Sequence, residues 1–231
     1  MMQDTRGPDA QTPVRGAAVC LLSGGMDSYV AAAIAQRDGW RLFCLSVAYG
    51  QRHRRELESA QKVAQVLGAD HRIVSLDLSW AKSSLTDLSA EVPDAETSGI
   101  PSTYVPARNT IFISLGLALA ETIDADAIVV GVNAVDYSGY PDCRPEYLDA
   151  FQNLINLAAK KTVEGGSLVL LAPLARMSKA QIVRAGVSLG LDFSLTWSCY
   201  RNGERPCGRC PSCRLRRKGF AEAGIPDPLE R

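Results

Sequence analysis

The sequence predicts an α/β fold in which an open parallel sheet carries helices on both faces, followed by a small C-terminal zinc-binding appendage. Two observations lead to this prediction. Apolar runs of strand length alternate with segments of helical period between Ala17 and Leu189, which is typical of a parallel sheet covered on both sides. From Thr196 onward the composition changes to Cys, Pro, Gly and Arg, which favours an extension tied by a metal.

Each strand is predicted from a short apolar run, beginning with the run from Ala17 to Leu22. The five strands are expected at residues 17–22, 41–48, 71–77, 127–132 and 168–171. Ligands of such a sheet bind at the carboxyl ends of its strands, so the loops that follow these strands are the places to search for chemistry.

The helices are predicted from apolar residues spaced three and four apart. Within residues 55–67, for example, Ala60, Val63 and Ala64 fall on one face. Helices are expected at residues 29–36, 55–67, 109–122, 146–161 and, after an N-cap at Ser178, 179–189. The polar stretch 80–102 has no such period, and because it is long for a loop we interpret it as an active-site cover.

Length, composition and charge bound the organisation of the chain. Its 231 residues, 46% of them hydrophobic, suffice for one domain with a core. We expect a disordered lead-in at 1–16, the α/β domain at 17–195 and the appendage at 196–231. The formal net charge is zero, no apolar stretch is long enough to span a membrane, and the N-terminus has no signal-peptide centre. We therefore expect a cytoplasmic protein without a membrane partner or a stable nucleic-acid partner.

The most informative motif follows the first strand, where Ser-Gly-Gly-Met-Asp-Ser leads into a helix. Glycines let the backbone approach an anion, and the helix N-terminus supplies free amides, so this turn predicts a phosphate site. The order resembles the pyrophosphate-binding loop of enzymes that cleave ATP between the α and β phosphates. An ordinary capped turn is the alternative. The residues expected to bind ATP are Leu22, Ser23, Gly24, Gly25, Met26, Asp27 and Ser28.

Asp27 stands out in this loop because a carboxylate repels a phosphate ligand. We interpret it as an anchor for Mg²⁺, directly or through water, or as a helix cap. Lys179, which opens the helix after the fifth strand, could neutralise charge on the α-phosphate, or be a surface residue of a first turn. Arg108 could clamp a phosphate or carboxylate with two hydrogen bonds, and Asn109 beside it could be an N-cap.

Four of the seven cysteines crowd together near the C-terminus with the spacing Cys-x₇-Cys-x₂-Cys-x₂-Cys. Four thiolates suit a tetrahedral structural zinc ion and leave no open position for catalysis, so we expect one structural Zn²⁺ per chain. An iron–sulfur cluster is the alternative. The expected ligands are Cys199, Cys207, Cys210 and Cys213. The basic residues at 214–218 that follow are interpreted as a solvated helix face, with contact to nucleic acid as the alternative.

A polar stretch at 131–145 follows the fourth strand, where ligands of open sheets bind. Asn133 and Asp136 could read the edge of a purine-like ring, and Tyr137 or Tyr140 could stack on its face. A solvated linker is the alternative.

Together these motifs resemble the 7-cyano-7-deazaguanine synthase family of the PP-loop ATP pyrophosphatase superfamily, which has an adenine nucleotide alpha-hydrolase-like fold. The resemblance covers about residues 17–228, and Met26, where the family usually has Leu, is a mild departure. The motifs that carry it are residues 21–28, 48–53, 104–110, 131–144 and the four-cysteine tail.

The resemblance implies that 7-carboxy-7-deazaguanine, ammonia and ATP give 7-cyano-7-deazaguanine, through an adenylated acid and an amide, in queuosine biosynthesis. It implies catalytic roles for Asp27, Lys179 and Arg108, substrate contacts from Arg108, Asn133, Asp136 and Tyr137, and a homodimer. Three alternatives stay open. They are a PP-loop tRNA sulfur-transfer enzyme, a zinc module that binds nucleic acid, and a relative that acts on another acid.

Overall fold

The computed structural model describes residues 15–52, 54–87, 89–94, 99–133, 140–201 and 203–230. Its centre is a five-stranded sheet of order β3-β2-β1-β4-β5 in which every neighbouring pair is parallel. The strands are β1 (Ala17–Leu21), β2 (Arg41–Ala48), β3 (Asp70–Ser75), β4 (Ala127–Val129) and β5 (Val169–Leu171). The parallel sheet predicted from the alternating pattern is confirmed.

Helices cover both faces of this sheet. The helices are α1 (Met26–Arg37), α2 (Arg55–Val66), α3 (Arg108–Thr122), α4 (Pro145–Ala158), α5 (Lys160–Val163), α6 (Lys179–Ser188) and α7 (Pro211–Ala223). Helices α1, α2, α6 and α7 contribute to one apolar core, while α3 and α4 contribute to the other. Within the described ranges, no helix combines the length and the apolar character needed to cross a membrane.

The alternation of side chains along β1 divides these two cores. Ala18 and Cys20 face the layer that holds α1 and α2, whereas Ala17 and Val19 face the layer that holds α3 and α4. Because both faces are buried, β1 reads in the sequence as a continuous apolar run. The strand order reverses at β1, between β2 on one side and β4 on the other, and this switch point is where an open α/β sheet binds ligands.

The helix predicted at 146–161 is wrong in one respect, because the structure breaks it into α4 and α5 at Ala159. This residue has extended backbone angles, φ −76° and ψ 132°. The hydroxyl of Thr162 donates to the carbonyl of Asn156 at 3.0 Å, a group whose usual helical partner, the amide of Lys160, lies past the break. The amide of Lys160 donates to the carboxylate of Glu121 on α3 at 2.7 Å. The break therefore depends on contacts outside the helix.

The chain after residue 196 packs directly against the α/β layers. The Phe220 ring of α7 meets Phe193 edge-on, with 5.4 Å between ring centroids, and is buried in the α1 core. Within the basic run, the expectation of a solvated helix face is wrong for Arg216, which is 4% exposed. Its guanidinium donates to both carboxylate oxygens of Asp227, at 2.7 and 2.9 Å, and to the hydroxyl of Thr196 at 2.7 Å. The domain boundary at 195/196 stays a prediction.

This buried ion pair gives a test of how the C-terminal segment is held. Replacing Arg216 with Met should lower the free energy of unfolding by about 3–5 kcal/mol, because Asp227 would keep a buried charge without its partner. Arg217→Met is the matched control, since the Arg217–Glu230 pair is exposed and such pairs contribute about 0–1 kcal/mol. Urea unfolding measures both, and equal losses in the two variants would contradict the assignment.

Candidate active site

A cavity of about 310 Å³ opens at the carboxyl edge of the sheet, at the switch point between β1 and β4. Its walls come from the loop after β1, the residues after β4, the first turns of α2, α3 and α6, and the chain that leads into the cysteine cluster. A volume of this order is at the lower end for small-molecule sites. The cavity therefore lies where the strand topology predicts a ligand.

The loop after β1 approaches α2 so closely that no side chain fits at its first glycine. Gly24 has φ +82°, and a Cβ there would lie 2.0 Å from the carbonyl oxygen of Glu56. The hydroxyl of Ser28 donates to the carbonyl of Gly25 at 3.0 Å and accepts from the amide of Ser23 at 3.2 Å. These bonds fold the loop over the start of α1. The motif predicts a glycine here so that the backbone can approach an anion, and the close packing against α2 also requires glycine at position 24.

The amino end of α1 meets the same cavity. Gly25 is the N-cap residue, and the first helical bond recorded at this end joins the amide of Tyr29 to its carbonyl at 3.2 Å. The preceding amides of Met26, Asp27 and Ser28 belong to the first turn, where a helix leaves its N–H groups without intrahelical partners. Together with the positive end of the helix dipole, they make this end of the cavity suited to an anion.

Asp27 and Lys179 form an ion pair inside the cavity. The ammonium of Lys179 donates to Asp27 Oδ2 at 2.6 Å, and the two side chains are 13% and 27% exposed. The structure records no cap bond from Asp27, so the alternative that it caps the helix is not supported. The alternative that Lys179 is a surface residue is wrong, because its side chain is largely buried in this pair. Asp27 Oδ1 is buried without a hydrogen-bond partner in the described part of the chain. A carboxylate oxygen in this condition fits a hard cation such as Mg²⁺.

Lys179 reaches this position because α7 leaves room for it. A Cβ at Gly219 would lie 2.3 Å from Lys179 Cγ and 2.9 Å from its Cβ. Ser178 is the N-cap of α6, as predicted, and forms a capping box with Gln181. The cap sets the start of α6, and Gly219 lets α7 pack over it.

Arg108 begins α3 and lies in the cavity wall, as the sequence predicts. Its guanidinium donates to the hydroxyl of Tyr49 at 3.2 Å and lies 5.7 Å from the centre of the Tyr49 ring. Burial raises the pKa of Tyr49 to about 12, so this partner is a neutral phenol. The N-cap expected at Asn109 is wrong, since Ala107 holds that position with φ +54°. The side-chain amide of Asn109 donates instead to the backbone carbonyl of Asp142 at 3.0 Å.

Of the residues expected to contact substrate after β4, the structure places Asn133 in the cavity wall. Its side-chain amide donates to the carbonyl of Met177, which ties the chain after β4 to the residue before the N-cap of α6. Asp136 and Tyr137 lie outside the described residues. Tyr140 lines the cavity, and its hydroxyl hydrogen-bonds to that of Thr103 at 2.9 Å.

Glu56 and Cys143 are among the cavity residues that sequence reasoning did not assign to the site. Burial raises the pKa of the Glu56 carboxyl from 4.5 to about 7, although the positive charge of Arg108 acts in the opposite direction. Burial likewise raises the pKa of the Cys143 thiol to about 11. Glu56 carried one available signal, its place at the end of the basic run that follows β2. Cys143 carried none beyond its place in the polar stretch.

The four cysteines predicted to bind a metal lie together, with their sulfur atoms within 4.8 Å of one another. Four thiol sulfurs this close suit a tetrahedral zinc ion. The cluster is joined to the cavity through Trp197, whose amide donates to the carbonyl of Gly24 at 2.9 Å and whose indole donates to the carbonyl of Cys199 at 3.0 Å. Arg55 of α2 lies 4.8 Å over the Trp197 ring.

This connection predicts that a chain without metal at the cysteine cluster would hold the loop after β1, the predicted phosphate site, less firmly. Cys210→Ser should be purified without zinc and should lose at least about 2 kcal/mol of stability, which lowers the melting temperature by roughly 4–8 °C. Its dissociation constant for Mg-ATP should rise about tenfold or more, because Trp197 would no longer hold Gly24. Elemental analysis, thermal unfolding and calorimetry measure the three effects, with Cys44→Ala as the control outside the cluster. A metal-free variant that binds Mg-ATP like the parent would contradict this coupling.

Comparison with solved structures supports the fold. The protein resembles the crystal structure of a 4-thiouridine synthetase–RNA complex with bound ATP, with a TM-score of 0.50 and 20% sequence identity over 92% of this chain and 52% of that chain. A predicted subunit of tRNA methyltransferase from Methanocaldococcus jannaschii gives the same TM-score at 15% identity, over 92% of this chain and 89% of that one. At these identities the likeness concerns the fold alone.

Comparison with sequences identifies the family. Residues 17–224 match the family described as queuosine biosynthesis protein QueC. A 7-cyano-7-deazaguanine synthase of Pseudomonas paraeruginosa is 56% identical over 215 residues, which cover 91% of this chain and 96% of the relative. That of Methylobacillus flagellatus is 57% identical over 215 residues, covering 91% and 94%. The chain therefore belongs to the QueC family of 7-cyano-7-deazaguanine synthases.

Proposed function

We propose that the protein converts 7-carboxy-7-deazaguanine and ammonia to 7-cyano-7-deazaguanine at the expense of ATP, by way of an adenylated acid and an amide. The observation that carries the proposal is the cavity, in which a phosphate loop, the Asp27–Lys179 pair and Arg108 converge. The product is inferred from membership of the QueC family, and the cavity contains groups that could bind ATP and a carboxylate substrate.

The chemistry requires activation because a carboxylate has only oxide as its leaving group. Transfer of adenylate to that oxygen converts it into part of a phosphate, which leaves readily. Ammonia then attacks the carbon and gives the amide. A second activation of the amide oxygen, followed by its departure, leaves the nitrile. None of these steps needs a nucleophile from the protein.

The residues of the loop, Leu22 to Ser28, would hold the β and γ phosphates, which leave as pyrophosphate. The amides at the start of α1 and the hydroxyl of Ser23 are the donors available for this task, whereas the hydroxyl of Ser28 donates to the carbonyl of Gly25. Asp27 would hold Mg²⁺ through its unpartnered oxygen. Lys179 would offset negative charge at the α-phosphate, since its ammonium lies beside Asp27 in the cavity.

Arg108 would bind the carboxylate of the substrate, because a guanidinium matches two carboxylate oxygens. Asn133 would contact the ring of the substrate from the end of β4. Asp136 and Tyr137, from the same loop, are proposed as further substrate contacts on the resemblance alone.

The cysteine cluster would hold one structural Zn²⁺, with no position left for catalysis. The tRNA sulfur-transfer alternative needs a redox-active cysteine pair or cluster and a broad basic surface. Here the four thiols would all be committed to the metal and the formal net charge is zero, and the QueC relatives favour the nitrile-forming reaction.

We further propose a cytoplasmic homodimer that holds no stable nucleic acid, from the family resemblance and the zero net charge. Light scattering tests the dimer. A mass of 24.8 kDa, that of one chain, would contradict it.

The reaction itself is tested by incubating the protein with 7-carboxy-7-deazaguanine, ammonium and Mg-ATP, then searching for the amide and the nitrile by mass spectrometry. Arg108→Ala should lower nitrile formation by about 100-fold or more while Mg-ATP still binds, because the clamp acts on the acid. Arg72→Ala, an exposed change on β3, is the matched control and should keep the parent rate.

Two results would decide against these assignments. Absence of both products with the parent protein would contradict the proposed reaction. Unchanged turnover by Arg108→Ala would remove only Arg108 from the site.

A further inference from the structure

We propose that Glu56 is the proton acceptor for the two steps in which nitrogen loses a proton, formation of the amide and formation of the nitrile. This inference rests on the proposed function. It assigns a catalytic role to a carboxylate in the first turn of α2, a position outside the phosphate loop and outside the stretch after β4.

Glu56 lies between the loop that would hold the phosphates of ATP and Arg108, which would hold the carboxylate of the substrate. Its backbone carbonyl packs against Gly24, so the first turn of α2 abuts the loop that would hold the phosphates. On its other side, its carboxylate lies within the electrostatic field of Arg108, the proposed clamp for the substrate carboxylate. The carbon under attack must lie between the α-phosphate and this clamp. Glu56 therefore borders the place where nitrogen adds.

Glu56 also differs from Asp27, the other acidic side chain that the described residues contribute to the cavity. Asp27 is paired with Lys179 at 2.6 Å, whereas Glu56 makes no hydrogen bond or ion pair among the described residues. Glu56 is half-buried in the cavity wall, where a ligand can supply the partner that its carboxylate lacks. It is thus free to accept a proton from an incoming nitrogen.

The surroundings of Glu56 set the pKa of its carboxyl in the range that proton transfer requires. Among the described residues, the other charged side chains that line the same cavity are Asp27, Lys179, Arg108 and Arg216. The phenols and the thiol that line it are Tyr49, Tyr140, Tyr200 and Cys143. Burial outweighs Arg108 and raises the pKa of Glu56 to about 7. The carboxyl is therefore an effective acceptor as the pH rises through neutrality, which is the range in which a general base works best.

In the first step, the lone pair of ammonia forms a bond to the carbon of the acyl adenylate. The bond from that carbon to the phosphate oxygen breaks, and its electron pair leaves with AMP. The nitrogen, which carries an extra proton after attack, gives it to the Glu56 carboxylate. The products are the amide, AMP and a protonated Glu56, which returns its proton to solvent.

In the second step, the amide oxygen has displaced pyrophosphate from a second ATP. The nitrogen then carries two protons. The first passes to Glu56, which returns it to solvent; the second then passes to Glu56, and the electrons of that N–H bond form the third bond of the nitrile. The bond from carbon to the phosphate oxygen breaks, and AMP leaves with the pair. Formation of the amide thus transfers one proton to this carboxylate, and formation of the nitrile transfers two, one after the other.

Glu56→Gln tests the inference, with Glu58→Gln as the matched control, because Glu58 is an exposed residue of the same first turn. The first measurement is the burst of pyrophosphate released from Mg-ATP and 7-carboxy-7-deazaguanine without ammonia. The second is nitrile formation between pH 6 and 9 at a constant concentration of unprotonated ammonia. Removing a general base costs about 10²–10⁴-fold.

The parent protein should form nitrile at a rate that rises with pH through about 7, the pKa of Glu56. Glu56→Gln should keep the pyrophosphate burst within about threefold, lose about 100-fold or more in nitrile formation, and lose this rise with pH. In Glu56→Ala, added formate should restore part of the rate, and this variant keeps the test available if the amide substitution does not fold.

Three results would overturn the inference. The first is parent-like nitrile formation with an unchanged pH profile in Glu56→Gln. The second is loss of the pyrophosphate burst along with the nitrile in Glu56→Gln, which would show a role in binding. The third is absence of formate rescue in Glu56→Ala. A parent protein that forms no nitrile would instead overturn the proposed function itself.

Discussion

The close approach of α2 to Gly24 is the constraint on which the rest of the site depends. No side chain fits at Gly24, because its Cβ would meet the carbonyl of Glu56, and its φ of +82° suits glycine. On the opposite side, the amide of Trp197 bonds to the carbonyl of the same residue. The loop is thus held from two directions, and its position fixes where the amides at the start of α1 point.

The C-terminal segment is part of this arrangement. Gly219 of α7 admits the stem of Lys179, and the Asp27–Lys179 pair then joins the phosphate loop to the start of α6. Trp197 connects the loop to the cysteine cluster. Arg216 of α7 is buried against Asp227 and donates to Thr196, the residue before Trp197. A metal that holds the cysteines would therefore act on the cavity from a distance, through packing and backbone hydrogen bonds.

The sequence predicts the parts of this structure that depend on local pattern. The apolar run of β2 is found at Arg41–Ala48 as predicted, and Ser178 is the N-cap of α6 because its capping box lies within four residues. The break at Ala159 and the burial of Arg216 depend on partners on other elements, which periodicity does not report. Glu56 was missed for the same reason, since its place in the cavity follows from the packing of α2 on Gly24.

The central claim is that the loop after β1 holds the phosphates of ATP. A crystal structure with Mg²⁺ and a non-hydrolysable ATP analogue tests it most directly. The account predicts the β and γ phosphates on the amides of Gly25 to Ser28, with the cation beside Asp27 Oδ1. Phosphates bound elsewhere while this loop stays empty would contradict the account.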